Sequence, residues 1–304
     1  MGPTASGKSA LAIQLAHHLK TEIISVDSAL VFKGMDIGTA KPTCKEREGI
    51  THHLIDIIDP SEHFSTGQFR KQALELMAEI TARGKIPLLV GGTMLYFKAL
   101  TQGMAELPTA NPEIRKQLDH ELAVLGKQAL HQRLIAVDPE SAARIHPNDP
   151  QRIQRALEVH QISGKPLSLF FKESQSNAFP YHPLKIKVAP DNRPLLHQVI
   201  AQRFHSMLEQ GLIAEVEKLY QRPDLNETLP AIRAVGYRQV WAYLKGDDDR
   251  ALMTEKAIIA TRQLAKRQFT WLRKEVDAKS FVSADPYLFE NVSNEINLFL
   301  SNMK

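Results

Sequence analysis

Gly2, Gly7, Lys8 and Ser9 fall at the spacing G-x-x-x-x-G-K-[ST] within Gly2-Pro3-Thr4-Ala5-Ser6-Gly7-Lys8-Ser9, the pattern of a loop that cradles phosphates. Glycines let such a chain curl until several N–H groups face one concavity, which suits an anion. Residues 9–20 follow with helical patterning, and a helix N-terminus adds positive partial charge at the same spot. Lys8 brings a full positive charge, and the Ser9 hydroxyl can ligate Mg²⁺. The expected ligands are therefore a polyphosphate and Mg²⁺.

Glu22-Ile23-Ile24-Ser25-Val26-Asp27 is a short apolar run ending in an acid. Carboxyl ends of strands form the binding crevice of open α/β sheets, so Asp27 is placed to face whatever the loop holds. An ordinary nucleotide hydrolase would end another strand in an acid that helps hold Mg²⁺. Here Leu88-Leu89-Val90 runs instead into Gly91-Gly92-Thr93, which weakens the reading of the loop as an ATP site.

Lys266-Arg267-Gln268-Phe269-Thr270-Trp271-Leu272-Arg273-Lys274 interleaves bases with aromatics. On a helix, Lys266 and Thr270 share a face with Arg273 and Lys274, while Phe269 and Leu272 turn inward. That mixture suits phosphate contact plus stacking on unpaired bases; a solvated basic face would show the same charge. Pro150-Gln151-Arg152-Ile153-Gln154-Arg155 sets two arginines three apart, and Arg233-Ala234-Val235-Gly236-Tyr237-Arg238 brackets a Gly-Tyr step with two bases. Alone, each is ambiguous. Arg203 opens as either a surface cation or an anion clamp. The histidines, with adjacent pairs at 17–18 and 52–53, have no metal-ligand spacing and read as structural or exposed.

The elements that must position these groups read as alternating strands and helices. Strands are expected at 22–27, 53–58, 86–90 and 184–189, and helices at 9–20, 65–83, 195–209, 213–219 and 250–274. The order implies a doubly wound parallel sheet. Residues 109–175 carry no convincing strand and read as helices at 112–125, 127–136, 139–145 and 150–162. The expected organisation is a catalytic core of residues 1–103 and 184–304 with a helical insertion at 104–183. Residues 275–304 read as an acidic, weakly patterned tail ending in one helix. A phosphate loop normally follows a buried strand, yet only Met1 precedes Gly2. Either the true start lies upstream of Met1 or the fold manages without that strand; if the strand is absent, the sheet lacks a core member, and lower stability and a disturbed loop are expected.

Hydrophobic content of 43% and charged content of 24% over 304 residues are those of a globular protein with one large domain or a domain with an insertion. No run approaches a membrane span, and no signal peptide is visible. The single cysteine, Cys44, rules out an intramolecular disulfide and fits a reducing compartment; a cytoplasmic location is expected. Net charge is +4, made of +7 over residues 1–274 and −3 beyond, with +5 in residues 252–274 alone. Such a stripe suggests a polyanionic partner.

Taken in order, Gly2–Ser9, Ser25-Val26-Asp27-Ser28-Ala29-Leu30, Gly34-Met35-Asp36-Ile37-Gly38-Thr39-Ala40-Lys41-Pro42, Gly91-Gly92-Thr93 with Tyr96, Asn148-Asp149-Pro150-Gln151-Arg152, Val235-Gly236-Tyr237-Arg238-Gln239 and the 266–273 helix closely resemble the bacterial tRNA dimethylallyltransferases. The likeness runs from residue 1 to about 274. It departs in the missing strand and in Ser9, where Thr is common. The resemblance implies a P-loop NTPase-like fold and transfer of a dimethylallyl group from dimethylallyl diphosphate to the exocyclic amine of the adenosine 3′ to the anticodon, in tRNAs reading U-initial codons. It implies that the loop holds a leaving diphosphate, with Lys8, Mg²⁺ on Ser9 and Arg203 stabilising the departing charge, and that Asp27 is the general base. It further implies tRNA contact by Asp27, Ser28, Ala29, Leu30, Thr93, Arg115, Gln151, Arg152, Ile153, Gln154, Arg155, Arg233, Ala234, Val235, Gly236, Tyr237, Arg238 and residues 266–273, with the insertion clamping the anticodon stem-loop. A monomer is expected. The residues by themselves leave open a P-loop small-molecule kinase and an RNA-binding P-loop protein without prenyl transfer.

Overall fold

The computed structural model describes residues 1–173 and 179–302; residues 174–178 of the expected insertion and 303–304 of the tail lie outside them. The chain divides into two compact units, residues 1–100 with 180–304, and residues 101–179.

In the first unit the loop leads into α1 (Lys8–His18), followed by β1 (Ile23–Val26), β2 (His52–His53), α2 (Thr66–Ala82), β3 (Leu88–Gly91) and α3 (Met94–Gln102). β1 is buried along its whole length and lies between β2 and β3, parallel to both, as the continuous apolar run of a central parallel strand requires. α2 starts at a reciprocal cap: the Ser65 hydroxyl accepts the Gln68 N–H at 3.1 Å, and the Gln68 side chain accepts the Ser65 N–H at 2.8 Å. Phe69, Ala73, Met77 and Ile80 recur on its buried face, and Phe69 stacks on Tyr96 of α3.

The second unit holds α4 (Pro112–Val137), α5 (Pro139–Arg144), α6 (Pro150–Ser163) and α7 (Leu167–Glu173). Gly126, at φ 78°, breaks α4 into the two helical runs read from the sequence. Leu118, Leu130, Leu134, Ile153 and Leu157 form its core.

The first unit resumes with β4 (Ile186–Ala189), α8 (Arg193–Glu209), α9 (Leu212–Tyr220), α10 (Tyr237–Lys245), α11 (Arg250–Leu272), β5 (Lys279–Val282) and α12 (Leu288–Ser301). The tail is more ordered than its patterning suggests. β5 pairs in parallel with β4, and Val292 and Ile296 of α12 pack with Leu11, Leu15 and Val188.

Two expectations need correction. The 53–58 strand forms only at His52–His53, because Leu54 and Asp56 take left-handed φ values of 61° and 57° that end the extended run. The chain turns instead to pair with 30–32: Asp56 N–H donates to Leu30 O at 3.1 Å and Ile57 N–H to Val31 O at 2.9 Å. The loop is not disturbed either. Gly2 N–H donates to Gly91 O at 3.3 Å, Val188 N–H to Met1 O at 2.9 Å, and Met1 N to Ile186 O at 2.8 Å. Met1 and Gly2 thereby bridge β3 to β4, and the loop enters α1 through Gly7 at φ 71°.

Candidate active site

Residues 4–9 of the loop, Asp27, residues 36–43, Arg203 and residues 234–236 line one cavity of about 820 Å³ in the first unit. Each element delivers its group by a local device. Gly7 adopts the left-handed conformation that aims the loop amides ahead of α1. Asp27 follows the last residue of β1, where its Oδ1 accepts the Ala29 N–H at 2.8 Å and the Leu30 N–H at 3.4 Å, an Asx-type turn that fixes the carboxylate at the mouth of the crevice. Thr93 closes this corner: its N–H donates to Val26 O at 3.2 Å and its hydroxyl accepts the Ser28 N–H at 3.1 Å. Arg203 projects from α8, whose Ile200 and Phe204 anchor it in the core.

Lys8, Asp27 and Arg203 act on one another through space. Burial lowers the Lys8 ammonium below the ordinary lysine range; Asp27 opposes this and Arg203 adds to it. Burial likewise lowers Arg203, with Asp27 opposing. Two largely desolvated cations beside one carboxylate form a site that gains from a bound anion. The Lys8 Nζ donates to Pro3 O at 3.2 Å.

The end of β3 explains the missing acid. A Cβ on Gly91 would lie 2.0 Å from Val26 O, and one on Gly92 would lie 2.4 Å from Gln268 Nε2. A carboxylate side chain at Gly91 would run into the β1 backbone, and one at Gly92 would displace the Gln268 amide. Gln268 is a residue whose place the sequence reading missed. Its Oε1 accepts the Thr4 N–H at 2.8 Å and its Nε2 donates to Gly92 O at 3.0 Å. Read as an RNA contact, it ties α11 to the loop instead; its neutral polarity amid a basic run was the available signal.

Other expected contacts also change place. Gly2 and Pro3 are buried beneath the loop. A Cβ on Gly2 would meet Val188 O at 2.4 Å, so this glycine answers to the approach of β4, and Pro3 has no N–H to offer a phosphate. Tyr237 is fully buried, and its hydroxyl donates to Glu215. Burial first, then the Glu215 charge, raise that phenol far above its usual range. Gly236 and Leu272 are buried, and Phe269 packs partly buried against Leu196, Ile200 and Ala265. Trp271 is half-buried, with the Lys274 ammonium 5.8 Å from its ring centre. Lys266, Arg267 and Thr270 face solvent on α11 and Arg273 at its C-terminal cap, as do Ser28, Arg233 and Arg238 elsewhere in the unit.

In the second unit, Ile153 is core. Arg115 Nε donates to the buried Glu158 carboxylate at 2.9 Å, and Arg155 Nη1 at 2.6 Å. Burial opposes the charge on Glu158, but the two arginines and the Asn111 N–H outweigh it and hold the carboxyl below the usual range. These arginines neutralise a core acid while Arg115 stays half-exposed. Gln154 donates to Asp119 at 2.8 Å. Gln151 and Arg152 are exposed.

Residues 30–275 match the profile of the IPP transferase family. The chain belongs to that family. Its IPP transferase relatives include the tRNA dimethylallyltransferase of Methylococcus capsulatus, 58% identical over 97% of this chain and 95% of that protein. The tRNA dimethylallyltransferase of Thioalkalivibrio sulfidiphilus is 60% identical over 90% and 85%. Among solved structures, the tRNA isopentenylpyrophosphate transferase of Bacillus halodurans is 38% identical, covers 99% of this chain and 94% of its own, and superposes with a TM-score of 0.71. A eukaryotic dimethylallyltransferase caught acting on tRNA, 29% identical, covers 99% and 78% with a TM-score of 0.83. The α/β architecture is that of these IPP transferases. No helix among the described residues is long and apolar enough to cross a membrane.

Proposed function

We propose that this chain transfers the dimethylallyl group of dimethylallyl diphosphate to N6 of the adenosine 3′-adjacent to the anticodon, in tRNAs reading U-initial codons, giving N6-dimethylallyladenosine. The observation that carries the reading is the convergence of the phosphate loop, Asp27 and Arg203 on one cavity, in a chain whose relatives bear the name of this activity. We read the first unit as a P-loop NTPase-like core and the second as a helical insertion that adds tRNA contacts.

The chemistry follows from the groups. As the C1–O bond of the allylic diphosphate breaks, its electron pair leaves with the diphosphate. Lys8, Arg203 and the loop amides face that growing charge, where fixed dipoles and charges act most strongly. The N6 lone pair is delocalised into the adenine ring, so the amine is a poor nucleophile. Its bond to C1 forms as Asp27 takes the amine proton, a contribution of roughly 10²–10⁴ in rate. The adenosine must leave its stack to enter the cavity, at lower cost from a single-stranded loop. Exposed bases of α11 and Gln151 and Arg152 suit the RNA backbone.

Mg²⁺ fits the donor set in one way. Among the described residues there is no cluster of three or more His, Cys, Asp or Glu arranged for a metal. Ser9 lies exposed in the first turn of α1 and lines the cavity. The ion would therefore be held by the Ser9 hydroxyl and diphosphate oxygens, as Mg²⁺ prefers, and would supply neutralising charge to the leaving group. One chain carries the loop, Asp27 and Arg203 together, which supports action as a monomer; a tRNA substrate and a lone free cysteine support a location in the cytoplasm.

The test is incubation with isotopically labelled dimethylallyl diphosphate and unmodified tRNA, followed by nucleoside mass spectrometry. Labelled N6-dimethylallyladenosine is expected. tRNA binding without transfer would overturn the reading in favour of a binding protein, and ATP turnover on small molecules would favour a kinase.

A further inference from the structure

One wall of the cavity is formed by a short loop segment. Residues 36–39 carry it, and a single carboxylate on α9 holds it from behind. Glu215 Oε2 accepts the N–H groups of Asp36 at 3.0 Å and Ile37 at 2.8 Å, and its Oε1 accepts that of Gly38 at 3.2 Å. The buried Tyr237 hydroxyl donates to the same Oε1. A Cβ on Gly38 would lie 2.5 Å from the Tyr237 ring and 2.9 Å from Leu212 Cδ1, so the wall sits flush against both. From the other side, the buried Lys41 Nζ bonds Asp36 Oδ1 at 2.7 Å and Phe32 O at 2.8 Å. Ile37 of this wall lines the cavity together with Leu30, Phe204, Met207 and Leu264, an apolar set suited to hydrocarbon.

We propose that Glu215 is a positioning residue that pins residues 36–38 and so sets the width of the cavity for a five-carbon allylic chain. The inference rests on the cavity being the allylic diphosphate site. The place of residues 36–38, and with it that of the Ile37 side chain, depends on what their N–H groups bond. Without the carboxylate those donors turn to water, the wall recedes, and the fit to a short chain is lost. Selection among chain lengths in an apolar pocket rests on van der Waals fit and is modest per methylene, so a shift of the wall is enough to erode it.

The experiment compares wild type with Glu215→Ala, Glu215→Gln and Tyr237→Phe, measuring calorimetric Kd and steady-state kcat and KM for dimethylallyl and ten-carbon geranyl diphosphates. Glu215→Ala is expected to raise KM and Kd for the five-carbon substrate about tenfold, to lower kcat less than about threefold, and to cut the five-over-ten-carbon preference about tenfold. Glu215→Gln keeps an acceptor oxygen for two of the N–H groups and is expected to stay within about threefold of wild type. Tyr237→Phe removes one bond to the carboxylate, and so keeps the question decidable if Glu215→Ala does not fold; an increase in KM of about two- to threefold is expected. A fall in kcat alone, with Kd, KM and chain-length preference at wild-type values, would assign Glu215 to folding only and overturn the proposal. If wild type binds both diphosphates but transfers neither, the function proposed above fails while the Kd values still decide the wall; if it binds neither, both fail.

Discussion

Gln268 accepts the Thr4 N–H through Oε1 at 2.8 Å while its Nε2 donates to Gly92 O at 3.0 Å. One amide thus couples the basic helix α11, the phosphate loop and the end of β3. The loop's geometry depends on a residue 264 positions away in sequence.

Replacing Gln268 with Leu removes the acceptor and the donor at once. The expected result is a fall in kcat/KM for dimethylallyl diphosphate of about 10–100-fold, since a misplaced binding loop costs on this scale. Affinity for tRNA, measured by filter binding, is expected to move less than about threefold. Equal losses in both would return Gln268 to the RNA surface.

Asp27→Asn keeps a carbonyl oxygen for the Ala29 and Leu30 N–H groups and removes the base. The turn at the end of β1 should therefore survive, with an unchanged melting temperature, while kcat for transfer falls by about 10²–10⁴. Single-turnover kinetics with saturating tRNA check this; a loss confined to tRNA affinity would make Asp27 a binding residue.

Lys266, Arg267 and Arg273 are exposed on α11 and its C-terminal cap. Reversing them to Glu is expected to weaken tRNA binding and flatten the dependence of log Kd on log salt by about 0.7–0.9 per lost phosphate contact. Arg115→Gln and Arg155→Gln are expected to behave otherwise. Each strips one partner from the buried Glu158, so they lower the melting temperature by destabilising the second unit, Arg155→Gln more than Arg115→Gln because the half-exposed Arg115 is screened by solvent. An unchanged melting temperature would restore these two to the RNA-binding set.

Glu22, at the start of β1, bonds His53 Nε2 at 2.8 Å, Arg83 Nη2 at 2.8 Å and Lys85 Nζ at 3.0 Å. The His53 hydrogen bond above all, with Lys85 and Arg83, outweighs burial and lowers its carboxyl from 4.5 to about 2. A depressed carboxyl pKa contributes stability that is present above the unfolded value and is lost as pH falls through the folded one. Melting curves of wild type and Glu22→Gln from pH 7 to pH 2 should therefore differ most at neutral pH and converge between about pH 4.5 and 2. A gap that persists at pH 2 would show the loss to be packing.

Much of the chemistry was legible in the residues alone. The phosphate loop is a local device: four residue types at fixed spacing curl the backbone and open a helix, whatever surrounds them. The same holds for an acid at the end of an apolar strand, for the capped α2, and for the helical runs on either side of Gly126, each set by interactions within a few residues.

Tertiary structure decided what each polar residue faces. The resemblance implied tRNA contact for Arg115 and Arg155, yet the buried Glu158 carboxylate accepts from both. The Gly-Tyr step at 236–237 read as RNA contact, yet Tyr237 fills the space behind Gly38 and holds Glu215. The run 53–58 has the apolar content of a strand, but left-handed turns at Leu54 and Asp56 end it and carry 56–58 to pair with 30–32. Local sequence carries backbone preference and hydrophobic period. It does not carry the identity of a partner brought near by a fold that joins residue 4 to residue 268.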